Sequence, residues 1–201
     1  MALGDPYATR AQLKSYLKIT NSDHDEQLDD ALSSSTREIE KHCGRQFNDA
    51  VTTSARVFRP LNSRTAIVDD FHTTTGLVIK TDTDDDGVYE TTWASTDYEL
   101  EPLNGIRDGV PGWPYWRIKA VESELFPDGH RATLQVEARW GWAAVPAPVK
   151  QSCLILAAET FKLAGAPLGV AGFGEFGGVR VRHNAMVQRK LRPFCRGARV
   201  A

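Results

Sequence analysis

Hydrophobic and polar positions change period twice along this chain. Near the start, Leu13, Tyr16 and Leu17 fall on one helical face, and Thr9 stands three residues before Gln12, the spacing of a capping box. A longer helix follows. Leu28, Ala31, Leu32, Ser35, Ile39 and Cys43 recur every three or four residues, with Asp29, Ser33, Ser34, Arg37 and Lys41 on the other side. Asp23, three residues before Glu26, is the predicted cap of its first free amides, and Gly44 is the predicted left-handed stop.

From Val51 to Gly141 the pattern becomes short strands broken by turns. The predicted strands are Ser54–Phe58, Thr65–Val68, Leu77–Thr81, Tyr89–Thr92, Tyr98–Glu101, Trp116–Val121 and Ala132–Arg139. In the last of these, Leu134, Val136 and Ala138 alternate with Thr133, Gln135, Glu137 and Arg139, as a half-buried strand requires. Pro60, Pro102, Pro111, Pro114 and Pro127 all fall between the predicted strands, where a missing amide does least harm.

Helical periodicity then returns. Pro148 suits a first turn, and Val149, Cys153, Leu156, Ala157, Phe161 and Ala164 make one face. Leu154, Ile155 and Leu163 widen it, so that only Lys150, Gln151, Ser152, Glu159 and Lys162 resist burial. So broad an apolar arc predicts a central helix or one shared with a neighbouring subunit, with Leu154, Ile155 and Phe161 as candidate subunit-packing residues. Gly165 and Pro167 end it. Five glycines lie between Gly169 and Gly178, Val179 and Val181 alternate with Arg180 and Arg182, and a short helix is predicted from Asn184 to Leu191 before Pro193. The order is helix, helix, strands, helix, glycine-rich arm and short helix. That is an α+β chain, with a strand-rich region (51–145) inserted into a helical frame (1–50 and 146–164) and an extended C-terminal arm (165–201).

Composition adds bounds. With 201 residues, 41% of them hydrophobic and 25% charged, the chain can bury a core without staples. Cys43, Cys153 and Cys195 are an odd number, far apart and without a CxxC pair, which reads as a reducing compartment. The opening residues do not read as a signal peptide, and no stretch reaches the ~18 apolar residues of a membrane span. The net charge of −2 conceals an asymmetry: residues 176–201 carry seven Arg or Lys and no Asp or Glu. A basic end of this kind suits acidic protein surface or nucleic acid.

The search for chemistry yields little. Asp82, Asp84 and Asp86 followed by Gly87 match the first half of an EF-hand loop, but its twelfth position is Trp93 where a bidentate Glu belongs. The flanks read as strands, so the predicted structure is a hairpin turn that a two-residue Asn-Gly link could replace. The five histidines, His24, His42, His72, His130 and His183, show no metal-ligand spacing. Residues 172–177 formally spell GxGxxG, yet no βαβ unit surrounds them, and neither a GxSxG elbow nor a phosphate loop occurs. Trp113, Trp116, Trp140 and Trp142 read as packing residues that seal strands against helices. No catalytic, cofactor-binding or metal-ligating residue is assigned.

Taken in order, YATRAQLKSYLKI, DEQLDDALSSSTREIEKHCGRQF, DYELEPLNG, WGWAAVPAPVKQSCLILAAETF and GVAGFGEFGGVRVR resemble the head-to-tail connector (adaptor) proteins of tailed bacteriophages. The long helix ends in that family's small-residue–Arg–x–Phe junction, here Gly44 to Phe47. The resemblance implies a non-enzymatic small helical bundle without a cofactor, made in the bacterial host cytoplasm and placed at the virion neck. Its implied assembly is a ring, typically a dodecamer, beneath the portal. The ring continues the channel for genomic DNA, contacted without sequence specificity, and offers a surface to the next neck or tail-completion protein. The strand-rich insertion departs from the smallest members. The arm is the expected portal- or partner-docking element, through Val179, Arg180, Val181, Arg182, Arg189, Leu191, Arg192 and Phe194. Two other classes stay open: a small metal-dependent enzyme using Asp69, Asp70 or the Asp82–Asp86 cluster, and a nucleic-acid-binding module built on the basic tail.

Overall fold

A computed structural model describes residues 4–121, 123–164 and 184–196. The fold is α+β and divides into two compact units: a helical one, from residues up to Phe47 and from Val145 onward, and a strand-rich one spanning Asn48–Ala144. Among the described residues no helix is long and apolar enough to cross a membrane.

The helical unit starts with α1 (Arg10–Leu17), and its capping box is formed. The Gln12 amide donates to Thr9 Oγ1 at 3.2 Å and the Thr9 amide to Gln12 Oε1 at 3.0 Å. Of the predicted apolar face only Leu13 is fully buried, and Tyr16 points to solvent. α2 (Asp25–Cys43) buries the whole predicted stripe together with Thr36, and stops at Gly44 with φ +61°. Its cap differs from expectation. His24 occupies the cap position without a side-chain bond to a backbone amide, its Nδ1 meeting Gln27 Oε1 at 3.1 Å, while Asp23 accepts from Asn21 Nδ2 at 2.7 Å.

α3 (Ala147–Ala164) packs on both preceding helices. Ser152, expected outside, is buried, its hydroxyl satisfied by donation to the Pro148 carbonyl at 2.8 Å. Tyr7 ties the bundle together. Its amide donates to Thr36 Oγ1 (3.1 Å), its hydroxyl donates to Glu40 Oε1 (2.9 Å) and accepts from the Phe47 amide (3.0 Å). Burial pushes that phenol well above its ordinary pKa, so it stays a neutral donor. Residues 165–183 and 197–201, which include the GxGxxG stretch and most of the arm, lie outside the described residues. α4 (Ala185–Leu191), the predicted short helix, is present and continues into a 3₁₀ turn, Arg192–Phe194.

Among its described residues the strand-rich unit has nine strands: β1 (Ser54–Phe58), β2 (Thr65–Phe71), β3 (Val78–Thr81), β4 (Thr91–Thr92), β5 (Tyr98–Glu101), β6 (Ile106–Arg107), β7 (Val110–Pro111), β8 (Tyr115–Ala120) and β9 (Leu134–Ala138). They form antiparallel sheets ordered β1-β9-β3-β4 and β2-β8-β5, plus the ribbon β6-β7. Alternation works as predicted in β9, where Leu134, Val136 and Ala138 are fully buried. Both sheets feed one core, with Val68, Ile118, Ile79 and Val136 around Trp140 and Phe71. Trp93 stacks on Phe126 with centroids 4.7 Å apart.

The β6-β7 ribbon was not predicted, and Pro111 lies inside it rather than between strands. Asp108 (φ +52°) and Gly109 (φ +76°) make its two-residue turn, a signal present in the sequence as Asp-Gly. The Arg107 guanidinium sits over Trp113 (4.7 Å) and Trp116 (5.7 Å), and Trp113 meets Trp142 at 5.1 Å. These tryptophans therefore pack within the strand-rich unit, and Trp140 belongs to its core.

Candidate functional site

The C-terminal segment is where chemistry and placement converge. Asn184 caps α4, accepting from the Val187 amide at 3.2 Å, while its Nδ2 donates to Glu159 Oε1 on α3 at 2.7 Å. Val187 and Leu191, one turn apart, are 5% and 2% exposed. Lys190 reaches Gln151 Oε1 at 2.9 Å. Past α4, Phe194 lies edge-on to Phe47 at 6.0 Å, and the Arg196 amide donates to the Cys43 carbonyl at 2.9 Å, satisfying the end of α2. Segment 184–196 is thus seated on its own chain. Beside it α2, α3 and α4 enclose a cleft of about 220 Å³, floored by Ile39, Leu156, Val187 and Leu191 and rimmed by Glu38, His42, Asn184 and Gln188.

The expected docking residues separate on this geometry. Val179, Arg180, Val181 and Arg182 lie outside the described residues. Leu191 is spent on the chain's own core, and Phe194 is half-buried against Phe47. Arg189 and Arg192 are exposed. Leu154, Ile155 and Phe161 stand half-buried along α3, with Phe161 edge-on to His24 at 5.6 Å.

The acidic turn is a second candidate. Asp82, Asp84 and Asp86 are joined by Glu90, all four presenting a carboxylate oxygen within 4.8 Å of one another. Such oxygens could hold a hard divalent cation. Most already have other work. Asp82 accepts from the Gly87 amide (2.8 Å) and the Asp86 amide (3.3 Å), and Asp86 accepts from the Val88 amide (2.7 Å). Glu90 accepts from the Thr83 amide (2.8 Å) and its hydroxyl. Asp85, outside the cluster, accepts from the His130 and Arg131 amides at 2.9 Å each. The Asp86 carboxylate, ahead of desolvation and the charges of Glu90 and Asp82, pushes the Asp84 carboxyl above its ordinary range. Asp69 and Asp70 stand apart from this cluster: Asp69 pairs with Arg56 at 2.7 Å, and Asp70 accepts from Trp142 Nε1 at 3.0 Å.

Sequence reasoning placed Cys43 and Cys195 far apart, yet their sulfurs lie 3.7 Å from each other. They stand 152 positions apart, so no local signal could have paired them.

No family model matches the chain, and no curated protein compared with it matches either. Solved structures do. A chain from the neck of an empty gene-transfer-agent particle, computed with six-fold symmetry, aligns over 96% of this chain and 90% of its own, at 18% identity and a TM-score of 0.58. A chain from the neck of the native particle, computed with twelve-fold symmetry, aligns over 95% and 89%, at 18% identity and a TM-score of 0.55. One from the virion of the native gene transfer agent covers 96% and 90%, at 21% identity and a TM-score of 0.53. This α+β arrangement is therefore a fold also found in chains of a gene-transfer-agent neck.

Proposed function

We propose that the chain is a structural subunit of the neck of a phage-like particle, a connector that forms a ring under the portal and offers its far side to the next neck or tail component. The observation that carries this reading is that the likeness to neck chains runs through both units, over 95–96% of the chain, rather than through one common motif. The ordered sequence resemblance to phage adaptors supports it independently. So do the half-buried Leu154, Ile155 and Phe161 on α3, which a neighbouring subunit would cover. In this reading genomic DNA passes through the lumen without sequence-specific contacts, and the ring is a dodecamer. The exposed Arg189 and Arg192 meet the portal, together with the arm residues Val179 to Arg182. The virion neck is then its location.

The test is native mass measurement and class-averaged electron micrographs of the purified protein, alone and mixed with the portal of the same particle. Rings, or a portal-bound complex of fixed stoichiometry, are expected. A monomer that ignores portal and shows calcium-dependent hydrolytic activity would overturn the reading in favour of a metal-dependent enzyme. A monomer with strongly salt-dependent DNA affinity would favour the nucleic-acid module.

A further inference from the structure

Cys43 and Cys195 have no part in the reading above. Cys43 ends α2 and is buried, whereas Cys195 follows the 3₁₀ turn and is half-buried. Both are free thiols in van der Waals contact at 3.7 Å. Their backbones are held together as well. The amide of Arg196 donates to the carbonyl of Cys43 itself at 2.9 Å, and Phe194 on the other flank of Cys195 rests against Phe47. Closing the sulfurs to bonding distance takes about 1.7 Å. Cys153, the third cysteine, sits inside the bundle with Thr36 Oγ1 at 3.5 Å as its neighbour.

We propose that Cys43 and Cys195 form an oxidation site, a thiol pair that a low-molecular-weight disulfide converts into an intramolecular bridge locking segment 184–196 onto α2. The Cys195 thiolate, the one solvent reaches, attacks one sulfur of glutathione disulfide and expels a glutathione thiolate. Cys43 then gives up its proton and attacks the Cys195 sulfur of the mixed disulfide, expelling the second glutathione. The protein pair loses two electrons and two protons, and glutathione disulfide becomes two glutathione molecules. Burial pushes the Cys43 thiol up and continues to act in the mixed disulfide, so the second step quickens as pH rises.

The bridge changes what the segment can do. In the reduced chain α4 is held by Val187, Leu191 and the Asn184–Glu159 bond, contacts that can be exchanged for a partner's. Once oxidised, the segment stays on α2 whatever partner is present. A reducing cytoplasm keeps the pair as thiols, and transfer to an oxidising exterior closes it.

The test uses the full-length reduced chain and glutathione disulfide, and needs neither ring nor partner, so its outcome is separate from that of the neck reading. Thiols are counted by maleimide labelling in denaturant, and bridged peptides are mapped by mass spectrometry. Expected is the loss of two of the three thiols, in a monomer-mass species that links the Cys43 and Cys195 peptides. Cys153→Ser should behave as the parent, and Cys195→Ser should form no bridge. The melting temperature should rise by roughly 5 °C or more on oxidation and fall back with dithiothreitol. A mixed disulfide that persists on Cys195, bridges only between chains, or three surviving thiols would each overturn the proposal. So would an oxidised form that melts no higher than the reduced one. Cys195→Ala, at a half-buried position outside the core, serves as a folded control should the serine variant be unstable.

Discussion

At Gly141 the backbone leaves no room for a side chain. Its φ is +94°, and a Cβ would lie 1.7 Å from the Asn48 carbonyl oxygen. That carbonyl also accepts from the Trp142 amide, and the Gly141 amide donates to Asp70, so the backbone cannot simply step aside. Gly141→Ala should cost more than about 2 kcal/mol in the strand-rich unit, read by denaturant unfolding. Asp49 sets a pH dependence in the same unit. Its hydrogen bond to Arg139, opposed by desolvation and aided by the Val51 amide, holds its carboxyl below the ordinary range. Glu101 is held down likewise, chiefly by Lys119 and then by Arg117. A carboxyl with a lowered folded pKa contributes stability above its unfolded pKa and loses it as pH falls through the folded one. The strand-rich unit should therefore melt at lower temperature as pH drops below about 4, and Asp49→Asn should flatten that slope. The acidic turn corrects an expectation at this scale. Asp82 and Asp85 secure four backbone amides between them, so an Asn-Gly replacement would strip the turn of its attachment. Asp82→Ala should destabilise by about 1–3 kcal/mol, by the same amount with and without millimolar calcium. A calcium-dependent difference in melting would show the cluster to be a cation site.

Among the elements, α2 and α4 carry the clearest consequences. Leu32 and Ile39 are 1% and 0% exposed on the stripe of α2. An aspartate at either position places an unpaired carboxylate in the bundle, which should unfold the helical unit, whereas exposed Arg37→Ala should cost at most about 1 kcal/mol. Equal melting temperatures for all three would refute the assigned face. α4 has good helix formers and a cap but only seven residues, too few to persist alone, so its stability comes from its seat. Leu191→Ala should cost about 2–4 kcal/mol in the helical unit, measured by thermal or chemical melts. The β6-β7 ribbon shows the opposite balance: its Asp-Gly turn is a strong local signal, and Arg107 on two tryptophan faces fixes its position.

For the whole molecule, the seat of α4 changes how the neck reading is tested. Removing everything after Ala164 exposes Ile39 and Leu156 where Val187 and Leu191 now lie, so truncation weakens the bundle as well as any docking. Charge reversal of exposed Arg189 and Arg192 is the cleaner probe. The double Glu variant should melt within about 1 kcal/mol of the parent yet co-sediment less with portal, the more so at low salt. Unchanged co-sedimentation would exclude these arginines from the docking surface.

Local rules were enough for much of this chain. The stripe of α2, the Thr9–Gln12 box, the stop at Gly44, the alternation in β9 and the short helix ending at Leu191 depend on neighbours within about one helical turn or one strand, and all were legible in order. The order of elements likewise showed an α+β chain with its strands inserted. Other features answer to tertiary packing or to side-chain choices among near neighbours, for which hydrophobic periodicity offers no signal. Asp23 accepts from Asn21 rather than from the helix it was expected to cap, and the Pro148 carbonyl let Ser152 be buried. The pairing of β9 with both β1 and β3, the entry of Glu90 into the acidic turn and the seating of Val187 and Leu191 are of the same kind. The meeting of Cys43 with Cys195 is the extreme case, because the contact is made by the packing of two helices and a 3₁₀ turn drawn from opposite ends of the chain.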